Sequence, residues 1–207
     1  MSARSILIRV PLEQSTAWSR DSLDQGSLLC RLVAERLEGP EVSAFAIARH
    51  DRDDSESGDF SHSAGIADAD RTLTEVIRQL ATEFSGILVV DDDLARRGDP
   101  GLEGASFVDD RVVRHADLAS EPEVLTRLLR MGASGYPLNA FLCSGMVRGA
   151  PSPSTGSLAD SEVAALTAAV RIIVHAIHDA ESFLLLAMDD GARAGLEAIA
   201  RPGVQSA

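Results

Sequence analysis

Apolar residues along this chain fall into two kinds of run. Some are short and rich in β-branched residues, and others recur every three to four positions between polar ones. Ser5–Val10 (SILIRV), closed by Pro11, predicts a first strand. Residues 12–20 are polar and without pattern. Leu28, Leu29, Leu32, Val33 and Leu37 predict a helix, with Ser22 or Asp24 available as cap and Gly39-Pro40 as its stop. Val42–Arg49 (VSAFAIAR) predicts a second strand. Over Asp70–Phe84, the residues Leu73, Val76, Ile77, Leu80, Ala81 and Phe84 form one stripe, with Thr72 and Glu75 at capping-box spacing. Ser85-Gly86 then serves as a turn into Ile87–Val90, an apolar run without a polar break that suits a strand covered on both faces.

The second half continues the alternation. A short edge strand is expected near Arg111–Arg114. A helix follows, capped by Ser120 with Glu123 three residues on, and facing inward through Val124, Leu125, Leu128 and Leu129. Asn139–Cys143 (NAFLC) is the fourth main strand. Val163, Leu166, Val170, Ile173, Val174 and Ile177 predict a helix over Ser161–His178, and Phe183–Met188 a fifth strand. Residues 161–188 also fit one long helix, because Leu184, Leu185 and Met188 stay in phase with Ile177; helix-then-strand keeps the alternation and is preferred. Asp189 caps a last helix holding Leu196 and Ile199. Segments 51–67, 94–110 and 148–160 read as irregular. The fold expectation is a single α/β domain over residues 1–207, a three-layer sandwich whose central, mostly parallel sheet has about five strands.

Composition narrows the chemistry. All 19 of the basic residues are arginine, so no lysine is present to form a Schiff base with pyridoxal phosphate or to hold nucleotide phosphates in a Gly-rich loop. Against them stand 32 acidic residues, a net charge of -13. No basic track is visible, which argues against nucleic acid or an anionic membrane as partner. No apolar run is long enough to span a membrane and no secretory leader is evident, so a cytoplasmic protein is expected. The two cysteines, Cys30 and Cys143, are too few for a disulfide framework.

Three places carry candidate chemistry. Asp91, Asp92 and Asp93 follow the Ile87–Val90 strand; in a parallel sheet they leave at the edge where ligands bind, and clustered carboxylates suit Mg²⁺, with Asp91 and Asp93 as metal ligands and Asp92 in a catalytic role. Over Ile87–Asp93, ILVVDDD resembles the start of response-regulator receiver domains. The resemblance ends there, because the downstream Asp-bearing strand and the phosphate-contacting lysine are missing. Cys143 ends an apolar run and meets Ser144-Gly145, a layout in which backbone N–H groups hold an oxyanion, with Arg148 five residues on for an anionic substrate. The Cys-to-Arg spacing is one short of the phosphatase loop, and no histidine stands at the caspase distance upstream. His175 and His178 lie three apart on the expected helix, a spacing open to a metal but without the His-Glu-x-x-His motif.

Two functions remain in view. One is a non-catalytic acidic regulatory or interaction protein whose partner presents a basic surface. The alternative is a small α/β enzyme, a hydrolase acting on a small-molecule substrate, with a pocket where Asp91–Asp93 and Cys143–Arg148 meet.

Overall fold

The computed structural model describes residues 5–24, 27–49, 62–81, 84–91, 106–108, 111–116, 123, 126, 138–144, 158–177 and 182–200. Its strands are β1 (Ser5–Val10), β2 (Ser43–Arg49), β3 (Phe84–Asp91), β4 (Ser106–Val108), β5 (Arg111–Ala116), β6 (Leu138–Ser144), β7 (Val170–Ile177) and β8 (Ser182–Ala187). The helices are α1 (Leu12–Asp24), α2 (Leu28–Glu35) with a 3-10 turn at Arg36–Glu38, α3 (His62–Leu80), α4 (Asp160–Ala169) and α5 (Asp190–Ile199). The eight strands form one sheet in the order β1-β2-β8-β7-β6-β3-β5-β4.

Every neighbouring pair in that sheet is antiparallel. This corrects the expectation of a mostly parallel sheet of about five strands. The reason is clearest at β7 and β8, which residues 178–181 join directly. A link that short closes a hairpin, whereas a parallel pair needs a crossover of a dozen or more residues. Apolar strands run without the usual polar alternation where both faces of this antiparallel sheet are covered, as they are over β2, β8, β7 and β6.

β8 shows the construction. Phe183, Leu185 and Ala187 enter one core, while Leu184 and Leu186 enter the other, as the two-residue pleat requires. On the first face α3 and α5 bring Leu73, Val76, Ile77, Leu80 and Leu196 against Leu7, Phe45, Ile47, Leu142 and Ile172. On the second, α1, α2 and α4 bring Leu23, Leu29, Val33, Val163 and Leu166 against Phe141, Ile173 and Leu186. Each such side chain, once buried, contributes about 1.5–3 kcal/mol. Ile87–Val90 lie in β3, inside the sheet between β6 and β5. β5 pairs on both sides, so the edge strand expected near Arg111–Arg114 is interior and β4 takes the edge.

Several boundaries differ from the sequence pattern. α1 forms where no stripe is visible, because only Ser19 and Leu23 of it are buried; Ser15 and Thr16 turn their hydroxyls back to the carbonyls of Pro11 and Leu12, at 2.8 and 3.0 Å. α3 begins at His62, well before the expected Asp70, and the Thr72 hydroxyl donates to the Asp68 carbonyl at 3.0 Å, inside the helix and not at its cap. Ser85 and Gly86 belong to β3. Segment 161–188 is neither one helix nor a helix and one strand: α4 gives way at Val170 to two strands. Glu123 and Thr126 are helical and dock on α3, with the Thr126 hydroxyl 3.0 Å from that of Thr74 and Glu123 3.4 Å from Arg78. Among the described residues no helix is long and apolar enough to cross a membrane.

Candidate functional site

Of the pocket expected between the aspartates and Cys143, the two described members, Asp91 and Cys143, are not brought together. β3 and β6 are neighbours, but they run in opposite directions, and Cys143 stands across from Ser85 near the start of β3. Asp91 ends β3, paired with Arg111 of β5. Six residues of extended chain separate Ser85 from Asp91, about 20 Å at ~3.3 Å per residue. In a parallel sheet the carboxyl ends of both strands would share an edge; here they lie at opposite edges. Asp92, Asp93 and Arg148 lie outside the described residues, as does His178. Among the described residues, no group of three His, Cys, Asp or Glu side chains is placed to hold a metal ion.

Cys143 is fully buried in the second core. Burial pushes its thiol up to about 12, against the smaller opposing pull of the Arg36 and Arg171 guanidinium groups. Such a thiol stays protonated, whereas nucleophilic attack requires the thiolate. Cys30, on α2, is equally buried and accepts a hydrogen bond from the Ser27 hydroxyl at 3.6 Å.

The two arginines near Cys143 have structural work. Arg36 donates through Nη1 to the carbonyls of Thr167 and Val170, the latter at 2.9 Å, which completes the C-terminal end of α4. Its own burial, followed by the nearby positive charge of Arg171, lowers the pKa of its guanidinium, and Asp189 acts in the opposite sense. Arg171, on β7, reaches Asp189 at 2.9 Å, and Asp189 accepts from the Ala192 N–H at 2.9 Å to cap α5.

The closest approach to a catalytic pair is one that the sequence does not suggest. Ser19 on α1 and His175 on β7 meet at 2.6 Å, Oγ to Nε2, with 0% and 1% of their surfaces exposed. The Trp18 ring stands edge-on to the imidazole, centroids 5.0 Å apart. Burial alone pulls the His175 pKa down to about 3, so the ring is neutral. A serine beside a neutral imidazole is the first half of a nucleophile–base arrangement. Sealed from solvent, the pair acts instead as a polar tie between α1 and the sheet. His175 therefore lies in a strand and in the core, not on the expected helix. The signal for this was the β-branched density of Val170–Ile177 (VRIIVHAI), which favours strand over helix.

On the outside of the second face, α2 lies between α1 and α4. A shallow groove of about 540 Å³ runs between α2 and α4, lined by Leu32, Glu35, Arg36, Ala164, Thr167 and Ala168. Ala164, Ala168 and Glu35 are exposed there, and Leu32 is half-buried.

Compared with protein-family models, curated proteins and solved structures, the chain gives no significant match.

Proposed function

We propose that this is a non-catalytic interaction protein whose α1/α2/α4 layer receives a partner with a basic, amphipathic surface. The observation that carries this reading is the groove between α2 and α4, with apolar Leu32, Ala164 and Ala168 beside the Glu35 carboxylate. The same layer exposes Glu13, Asp21, Asp24 and Asp160. Of its arginines, Arg20 is paired with Glu38 at 3.0 Å and Arg36 is engaged by the end of α4, while Arg31 is exposed on α2. Apolar contact in a groove with acidic surroundings favours a helix that carries Leu-type residues on one side and Lys or Arg on the other. The protein's net charge of -13 draws such a partner in. The hydrolytic alternative has less support, since Cys143 is buried and protonated and Asp91 lies at the other end of the sheet.

A labelled amphipathic helical peptide of leucine and lysine tests this by fluorescence anisotropy. Binding should weaken as salt rises, and Ala168→Arg with Glu35→Lys should weaken it about tenfold or more, roughly 1.4 kcal/mol. No binding, or binding indifferent to both salt and these substitutions, would count against the groove.

A further inference from the structure

β1 is the outermost strand, hydrogen-bonded along its inner side to β2 from Ser5–Arg49 to Val10–Ala44 without a register break. Among the described residues, nothing pairs with its outer side. The opposite edge, β4, is only three residues long. Edge strands are commonly blunted by a bulge, a proline, an inward-pointing charge or extreme shortness. β1 has six residues, no bulge against β2 and no proline within the strand. Its one charged residue, Arg9, is exposed and turns to Glu197 of α5 at 3.3 Å.

The side chains of β1 divide by face. Leu7 is 4% exposed, within the core under α3. Ile6, Ile8 and Val10 point to the other face and are each half-buried, with Val10 packed at the margin of the second core. This Ile-x-Ile-x-Val row reads nearly the same in both directions about Ile8. A two-fold axis at Ile8 that sets β1 antiparallel to its own copy would bring Ile8 against Ile8 of the second copy, and Ile6 against Val10 of the second copy on either side. Every pair on that face is then apolar and β-branched, the favourable kind of cross-strand neighbour. The even register also keeps each core on its own side, since a slip by one residue would reverse the faces.

We propose that β1 pairs with β1 of a second copy of this chain, antiparallel and centred on Ile8, and so joins two sheets into one. The occupant is a second copy because the row is self-complementary about one residue, as an isologous interface demands. This surface is separate from the α2–α4 groove and stands independently of the function proposed for it. One strand pair buries less than the ~1,200 Å² of standard interfaces, so the dimer is weak and dissociates on dilution. Two bodies of net charge -13 repel each other, so salt should strengthen the dimer while it weakens a basic partner in the groove.

Sedimentation of the full chain over a range of concentrations, at about 0.1 M and about 1 M salt, tests this. The expected result is a species of twice 21.9 kDa that becomes more abundant with concentration and with salt. Ile8→Lys, which sets two like charges opposite each other, should return it to monomer with its circular-dichroism melt still cooperative. A short bismaleimide should couple Ile8→Cys to itself but leave Ile6→Cys uncoupled, with the buried Cys30 and Cys143 silent in both. A monomer at every concentration and salt overturns the proposal and leaves the edge to an extended segment of another protein. So does a dimer that survives Ile8→Lys, or one that couples Ile6→Cys as readily as Ile8→Cys. Ala168→Arg should leave the dimer unchanged, so failure at the groove and failure at the edge are read separately.

Discussion

Cys143 faces Ser85 across the β6–β3 pair, while Asp91 stands at the far end of the same β3 strand. Strand direction alone separates these two residues: parallel, they would close one pocket, and antiparallel they are about 20 Å apart along the sheet. Groups at that distance without shared partners act independently. Asp91→Asn and Cys143→Ala should therefore change unfolding free energy additively, within about 0.5 kcal/mol in a double-mutant cycle by urea denaturation. A coupling of 1 kcal/mol or more would place them in one network after all.

Native-state alkylation distinguishes a core thiol from a reactive one. Both cysteines are fully buried, and burial raises the Cys143 pKa to about 12. Neither thiol should label until the protein opens, and the Cys143 rate should show no midpoint below that of a free thiol, ~8.5. Peptide mass spectrometry over a time course from pH 5 to 9 reads this directly. Faster labelling of Cys143 than of Cys30 in the native state would contradict the burial.

Local signals were legible where a single residue or a short run decides the outcome. Ser5–Val10 is a strand with the bounds its pattern implies, and Asp189 caps α5. What the pattern leaves open is anything set by distant partners. Strand direction depends on connections, and the β7–β8 hairpin was hidden because Val170, Ile173, Val174 and Ile177 satisfy helical spacing while being β-branched. α1 lacked a stripe because Ser19, one of its two buried residues, is polar. Ser19 and His175 lie 156 residues apart, and neither position hints at the other. The one available clue was a histidine inside an apolar β-branched run, which needs a buried partner if the run is a central strand.

Asp189 joins two elements through one carboxylate. Oδ1 accepts from the first turn of α5, and Oδ2 pairs with Arg171 on β7. Asp189→Ala removes both interactions and should cost about 1–3 kcal/mol, most of it the cap. Asp189→Asn keeps a capping oxygen and loses only the partly exposed ion pair, so its cost should be about 1 kcal/mol or less. Thermal melts, at about 2–4 °C per kcal/mol for a chain of this size, resolve the two. Equal losses from both substitutions would show that the ion pair, and not the cap, dominates.

The buried His175 ties stability to pH, and its sign follows from the direction of the shift. Burial lowers the pKa to about 3 in the folded protein, against an ordinary value of 6.5. Between those two values the unfolded chain binds a proton that the folded chain refuses. The stabilisation is thus fully present above ~6.5 and is lost progressively as pH falls towards 3. From pH 7 to pH 5 the loss from this group amounts to about 2 kcal/mol. Below pH 5 the loss continues because the sealed setting disfavours the charged ring, while the Ser19 hydroxyl can accept from either protonation state of His175. Urea denaturation at pH 7 and pH 5 should show this loss in the natural protein. His175→Gln, which still reaches Ser19 but does not titrate, should lose less over the same interval by about that amount. Carboxylates elsewhere contribute equally to both proteins, so the difference between them isolates the imidazole. Ser19→Ala should lower stability by about 1–3 kcal/mol at pH 7, the cost of leaving a buried polar atom without its partner. Identical pH dependence in the natural protein and His175→Gln would mean that the ring is not sealed, and that the Ser19–His175 tie opens to water in solution.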